Sequence, residues 1–191
     1  MTTEAVYGAE WYNNKPDLTN RAASHNATLP FTRNIVGSMD YTPCAFSDSQ
    51  HPHITTKAHE LSLTVLFESG LQHLADRPES YLSQPTEVKN FLGNLPTVWD
   101  ETHFIEGYPG ESVVLARRKG NKWMVAGING TDNPLSLSLK NSKIIPDGKV
   151  EIFLDNPENE GWLIKQCDLS ELPDKIECFP RGGFVYTLEP Y

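Results

Sequence analysis

The chain has 191 residues, 38% of them hydrophobic, so it is long enough to bury an ordinary core as one domain or two small ones. Its formal net charge is −9, and its densest basic run is Arg117-Arg118-Lys119. A nucleic-acid-binding protein needs a basic face, so no nucleic acid is expected as a partner. The sequence has neither an apolar run of about 18 residues nor a basic-then-apolar leader, so no membrane span is predicted.

The three cysteines, Cys44, Cys167 and Cys178, are an odd number without metal-ligand spacing. Cys167 and Cys178 can pair if their strands are neighbours, but free thiols are favoured. The sequence also lacks a glycine-rich phosphate loop, a serine-hydrolase elbow and a zinc-protease motif. Nucleotide, serine-hydrolase and zinc chemistry therefore have no support.

Two acids stand out at the start of the chain. Residues 2–7 are predicted to form a short strand that ends at Gly8, where glycine allows a sharp turn. Glu4 and Glu10 then project from the end of one strand and its following loop, which is where α/β barrels keep their active sites. The alternative is that both are solvated acids near a frayed terminus.

The next segments alternate in character. Residues 11–27 are polar and are predicted to form a functional loop. Residues 29–36 are predicted to form a short helix, with Thr28 as its cap and Gly37 as its stop. Residues 39–43 then fit a short strand and its exit. The pattern is strand, loop, helix, strand.

Residues 56–75 carry apolar side chains on more than one face and predict a largely buried helix, which Gly70 kinks or interrupts. For His59 and His73, a polar position on a packed helix is favoured over a ligand role. A further helix is predicted over residues 86–95, before Pro96.

Beyond Pro96 the hydrophobic period changes from about 3.6 to 2, which predicts a domain boundary between residues 1–96 and 97–191. Strands over 113–116 and 123–128 flank a hairpin turn at residues 117–121. Further strands are predicted over 135–139, 150–154, 162–167, 175–178 and 184–188. This half is therefore expected to be an antiparallel sheet or sandwich.

Acids and aromatic rings near the predicted barrel edge resemble a sugar site, because carboxylates perform acid/base chemistry and flat rings stack on pyranose faces. The members of this set are Glu4, Glu10, Asp40, Trp11, Tyr12 and Tyr41.

Several motifs of the chain resemble glycoside hydrolase family 97. They are TEAVYGAE at residues 3–10, HNATLPFTRNIVGSMDYTP at 25–43, FES at 67–69, LQH at 71–73, PTVWDET at 96–102 and ARRKG at 116–120. The resemblance covers essentially the whole chain. It is specific up to about residue 130 and rests on strand rhythm afterwards.

The resemblance implies a calcium-dependent, exo-acting α-glucosidase or α-galactosidase built from a β-sandwich, a (β/α)8 barrel and a small β-domain. This chain would be α/β plus all-β: the C-terminal end of the TIM barrel over residues 1–96, followed by a small antiparallel β-sandwich. By the motif, Glu4 corresponds to a calcium ligand, Glu10 to the general acid, and His25 to a residue that touches substrate. Ca²⁺ favours carboxylate oxygens, which agrees with the first assignment.

The same resemblance places the opposing catalytic carboxylate and further calcium ligands in an N-terminal part of the polypeptide that this chain lacks. The segment alone is therefore expected to be inactive. Both mechanisms, inversion and retention, stay open, and so do both substrates, glucosides and galactosides. The localisation of the protein also stays open, although family members are commonly periplasmic or secreted. The expected substrate is an oligosaccharide.

Ser38 and Cys44 stand where the family pattern has proline and glycine, which puts the local turns in question. Because two barrel units cannot cover both faces of a parallel sheet, the isolated chain is expected to be poorly stable or to associate through strand edges. Two other hypotheses remain: a non-catalytic carbohydrate-binding module, and a structural β-domain that braces a barrel.

Overall fold

The computed structural model describes residues 6–48, 52, 54–141, 143–159 and 161–191. In these ranges the α-helices are α1 (Ala9–Asn14), α2 (Ala22–Thr28), α3 (Arg33–Val36), α4 (Lys57–Leu66), α5 (Pro78–Leu82) and α6 (Thr86–Gly93). Short 3-10 helices cover Pro16–Arg21, Leu29–Phe31 and Leu169–Glu171. The strands are β1 (Glu101–Tyr108), β2 (Ser112–Lys119), β3 (Lys122–Asn129), β4 (Leu135–Ser138), β5 (Gly148–Asp155), β6 (Trp162–Asp168), β7 (Lys175–Cys178) and β8 (Gly183–Pro190).

The strands form two antiparallel sheets. One has six strands in the order β1-β2-β3-β8-β5-β6, and the other pairs β4 with β7. The prediction that the second half is antiparallel is confirmed. Strand β1 was not expected, because its register with β2 shifts between Phe104 and Glu106 and its alternation is broken there.

The six-stranded sheet is covered on both faces, because alternate residues of a strand point to opposite sides. On β2, Val113 and Leu115 join the core shared with helix α4, while Val114 and Ala116 face the two-stranded sheet. On β8, Val185 and its neighbours divide in the same way. The helical residues and the small sheet therefore pack on opposite faces of one central sheet.

Helix α4 is fastened to that sheet at its N-terminus by Asp155 of β5. The Thr56 hydroxyl donates to Asp155 Oδ2 over 2.7 Å, and the Ala58 amide donates to Asp155 Oδ1 over 3.1 Å. Thr56 also caps the helix by accepting from the His59 amide. A carboxylate at this end satisfies free amides and complements the helix dipole. Burial raises the pKa of Asp155, and these hydrogen bonds oppose the rise.

Helix α4 is shorter than the predicted 56–75 helix. It ends at Leu66 because side chains satisfy its last carbonyls: the Gln72 amide donates to the Thr64 and Phe67 oxygens, and Arg117 Nη2 donates to the Leu66 oxygen. The predicted 29–36 helix is likewise divided, at Thr32, into the 3-10 turn Leu29–Phe31 and α3.

The predicted end of a (β/α)8 barrel is not formed by this chain. Residues 1–5, which hold most of the first predicted strand, lie outside the described residues. The second predicted strand contributes one bridge residue, Met39, whose amide donates to the Glu68 oxygen over 3.1 Å. A parallel barrel strand needs a neighbour on each side, and among the described residues between 6 and 96 none is a paired strand.

Cys44 stands in a turn whose backbone would suit the glycine that the resemblance led us to expect there. Its φ is 76°, a left-handed conformation that side chains other than glycine rarely adopt. Buried Glu60 holds the turn, because its Oε2 accepts from the amides of Cys44 and Ala45, each over 3.2 Å. The three cysteines are free thiols, as favoured above. None of the helices in the described ranges has the length and apolar content that a membrane crossing needs.

Candidate functional site

Residues 9–28 form helices, so the prediction of a loop over 11–27 is wrong. The segment runs from α1 through the 3-10 turn Pro16–Arg21 into α2. In α2 the small residues Ala23 and Ala27 are buried, together with Asn26. The opposite face carries Ser24 and His25. Polar composition hid this helix, because its apolar face is made of alanines rather than large side chains.

The exposed sides of α1, the 3-10 turn and α2 enclose a pocket of about 460 Å³. Its walls are aromatic on the α1 side and polar on the α2 side. The lining residues are Tyr7, Trp11, Tyr12, Asn20, Arg21, Ser24, His25 and Thr28.

The aromatic wall is ordered by ring contacts. Tyr7 and Trp11, four residues apart, stack with centroids 4.2 Å apart and planes at 19°. Trp11 meets Tyr12 edge-on at 5.2 Å. Tyr7 is 53% exposed, so part of the aromatic wall is open to solvent. Such flat surfaces bind the apolar face of a ligand ring.

His25 is held at the back of the pocket by Tyr12. The Tyr12 hydroxyl and His25 Nδ1 form a hydrogen bond of 2.8 Å. Burial, helped by the positive charge of Arg21, lowers the pKa of His25. Burial also raises the pKa of Tyr12 to about 12, against the opposing effect of Arg21. Both side chains are therefore neutral at pH 7, and Arg21 is the pocket's charged donor.

The pocket combines flat rings with hydroxyl, amide and guanidinium groups. Trp11 offers an aromatic ring, while Arg21 and Asn20 line the same pocket with hydrogen-bond donors. A ligand that suits it has one apolar face and several hydroxyl groups, as a pyranose does.

Glu10 is on α1 beside this pocket, but its side chain is exposed and is not among the lining residues. The start of α1 is fixed to the segment that follows α3, because the Ala9 amide donates to the Tyr41 oxygen over 2.9 Å. A Cβ at Gly8 would lie 2.5 Å from that same oxygen, so only glycine permits this approach. The position of Glu10 is thus set by backbone packing.

Glu4, the predicted calcium ligand, lies outside the described residues. Among the residues that the structure does describe, no group of three or more His, Cys, Asp or Glu side chains is placed to hold a metal ion.

Two further members of the predicted sugar set do not face the pocket. Tyr41 is 3% exposed, and its hydroxyl donates to buried Asn26 Oδ1 over 2.5 Å. Asp40 Oδ2 bonds to His73 Nδ1 over 2.9 Å. Arg21, Asn20 and Tyr7 were missed, although the spacing of Tyr7 from Trp11 and of Arg21 from His25 is the i, i+4 spacing of a helix face.

The chain is similar to known glycoside hydrolases. Residues 98–189 match the family model described as the glycosyl-hydrolase 97 C-terminal, oligomerisation domain. The chain is 49% identical over 191 residues to a probable retaining alpha-galactosidase of Streptomyces bingchenggensis, covering 97% of this chain and 28% of the relative. The chain therefore spans less than a third of that relative's length.

Solved structures show the same fold. The crystal structure of a beta-arabinopyranosidase superposes with a TM-score of 0.85 at 29% identity, covering 96% of this chain and 30% of that chain. A glycoside hydrolase family 97 enzyme from a Pseudoalteromonas strain, solved in complex with panose, superposes with a TM-score of 0.83 at 23% identity, covering 100% and 32%. Residues 98–189 thus carry the C-terminal domain of glycoside hydrolase family 97, and the chain as a whole is similar to the C-terminal part of that family's proteins.

Proposed function

We propose that this chain is the C-terminal part of an exo-acting glycoside hydrolase that cleaves α-galactosidic or α-glucosidic bonds. The observation that carries the proposal is the 49% identity to a probable retaining alpha-galactosidase over 97% of this chain. That relative favours α-galactosides and retention for this protein. In a retaining enzyme, two carboxyl groups about 5 Å apart act on the glycosidic bond, one as acid/base and one as nucleophile.

Glu10 is the proposed general acid, and the aromatic pocket is the proposed contact with the sugar. Both features start from α1, so a pyranose stacked on Trp11 would lie close to Glu10. A general acid must carry its proton when substrate binds, and enclosure favours the protonated form. Glu10 is exposed in this chain. The enclosing walls and the opposing carboxylate are proposed to come from the additional polypeptide that longer relatives have.

The general-acid role has a direct kinetic test. In a polypeptide that joins this chain to the preceding barrel, Glu10→Gln should lower kcat/KM on methyl α-galactoside by at least about 10²-fold, because the leaving oxygen is no longer protonated. The loss should be much smaller on 4-nitrophenyl α-galactoside, whose leaving group needs little protonation. Asp17→Asn, a change at an exposed acid in the next turn, is the matched control. Equal losses on both substrates would contradict the role, and the 191-residue chain alone should be inactive.

Calcium is proposed as the cofactor, with Glu4 as one ligand and the others outside the described residues. In the same longer polypeptide, chelation by EDTA should abolish hydrolysis, and added Ca²⁺ should restore it. Glu4→Ala should raise the Ca²⁺ concentration needed for half-restoration by about tenfold or more, since one carboxylate ligand is lost. Full activity in EDTA would rule out the proposed dependence.

Residues 98–189 are proposed to have a second role in association between copies of the protein. The support is the description of the matching family model, which names oligomerisation. A groove on the surface of the chain is a candidate for the contact between copies.

A further inference from the structure

A groove of about 570 Å³ lies where the helical residues meet the edge of the six-stranded sheet. Its walls come from both parts of the chain and are mainly apolar. Phe31, Ile35 and Phe104 line it, together with Glu68 and Arg117. Phe31 and Phe104 meet edge-on at 5.7 Å and tie its two sides together.

Large apolar side chains at the groove are open to solvent. Ile35 is 71% exposed and Phe104 is 54% exposed, and Val36, next to Ile35, is 87% exposed. Ile35 and Phe104 line the same groove, and Val36 follows Ile35 in the chain, so these exposed side chains form one patch. Contiguous exposed apolar surface of this kind marks an interaction site.

Arg117 supplies a buried positive charge in the groove wall. The residue is 4% exposed, and its Nη2 donates to the Leu66 oxygen over 2.9 Å. Its guanidinium carbon lies 5.6 Å from the Trp99 ring centre. Its Nε and Nη1 atoms have no hydrogen-bond partner among the described residues. Buried guanidinium groups are normally paired, so Nε and Nη1 of Arg117 are expected to have an acceptor in the assembled protein.

Glu68 lines the same groove and is exposed. Burial lowers the pKa of Arg117 to about 10, and the charge of Glu68 opposes that shift. The groove thus carries one cation and one anion beside an apolar strip. A two-fold axis that passes between these two charges would bring the Glu68 of one copy towards the Arg117 of the other and the reverse.

We propose that this groove is the contact surface between two copies of the chain, related by a two-fold axis and joined by reciprocal Glu68–Arg117 pairs around the apolar strip. The inference rests on the association role proposed above and gives it a location. A dimer contact buries about 800 Å² on each partner, so the surface extends beyond the groove to neighbours such as Val36. The pairing also supplies the acceptor that Arg117 lacks.

Two pairs of exposed substitutions test the surface without disturbing the core. Ile35→Ser and Glu68→Lys alter the groove. Leu82→Ser and Glu79→Lys are the matched controls, because Leu82 is 69% exposed, Glu79 is exposed, and neither lines the groove. Sedimentation velocity on the 191-residue chain up to about 100 µM would populate even a dimer of micromolar Kd.

The expected result is a dimer whose Kd rises by about tenfold or more in each groove variant and is unchanged in each control. Circular dichroism spectra identical to the parent exclude unfolding as the cause. A dimer that ignores both groove changes would overturn the groove as the contact surface but keep the association role. A chain that stays monomeric would overturn both, leaving the groove to additional polypeptide of the longer protein.

Discussion

Gly183→Val should lower the free energy of unfolding by at least about 3 kcal/mol, because helix α4 and strand β8 touch at that residue. A Cβ at Gly183 would lie 2.8 Å from the Gly127 oxygen and 2.9 Å from the His59 Cα atom. Both are backbone atoms, so neither can turn aside. The helix and the sheet would have to separate, and the Gly183 amide would lose its 3.2 Å bond to Asp155.

Urea unfolding followed by far-ultraviolet circular dichroism measures this loss. Gly93→Ala is the control, since a Cβ at this last residue of α6 meets nothing within 4 Å. That change should be neutral or stabilising by about 0.5–1 kcal/mol, because alanine has fewer unfolded conformations to lose. If Gly183→Val were as mild as Gly93→Ala, the close packing of α4 on β8 would be wrong.

Acid should destabilise the fold through His59. This residue is fully buried on α4, and its Nε2 lies 3.0 Å from the Asn26 side-chain nitrogen, which donates to it. Burial lowers the pKa of His59 from 6.5 to about 3, and nearby backbone groups oppose the shift only in part. Between these two values the unfolded chain binds a proton that the folded chain does not.

The sign of the pH dependence follows from that difference. The stabilisation from neutral His59 is complete above pH 6.5 and is lost as the pH falls towards 3, at up to about 1.4 kcal/mol per pH unit. Asp155 has the opposite effect at the low-pH end of this range. Its pKa is raised above 3.8 in the folded chain, so protonation of Asp155 stabilises the fold as the pH falls. His25 acts in the same direction as His59, because burial lowers its pKa as well, so the net loss on acidification is the sum of these opposing contributions.

Comparing the parent with His59→Gln isolates this term, because the other groups titrate in both proteins. The stability difference should be constant above pH 7 and should change between pH 6.5 and 4 with the slope given above. His73→Gln is the control, since His73 is exposed and bonds to Asp40 at the surface. A stability difference that does not change with pH would show that His59 is not buried as a neutral ring.

The second half of the chain could be predicted from sequence, because its strands are short apolar or alternating runs. Residues 135–139 alternate leucine with serine, and residues 184–188 form a mainly apolar run that is buried on both faces of the sheet. Strand β1 could not be predicted, because a bulge near Phe104 and Gly107 interrupts the alternation.

The first half was harder because its structure depends on contacts distant in sequence. The end of α4 at Leu66 is fixed by Arg117, 51 residues further on, which no local pattern shows. In the candidate site, Trp11 and His25 were identified from chemistry and resemblance and do line one pocket. The helical periodicity that adds Arg21 was present in the sequence but was masked by polar composition.

The central sheet limits where the chain can be truncated. Its strands present one apolar face to α4 and the other to β4 and β7. Removing either covering layer would therefore expose a hydrophobic core to water. The matching family model begins at residue 98, yet α4 lies before it. A segment trimmed to that similarity boundary would carry a bare hydrophobic face and would be prone to aggregate. The segment that the family model matches is thus smaller than the segment that packs against the central sheet.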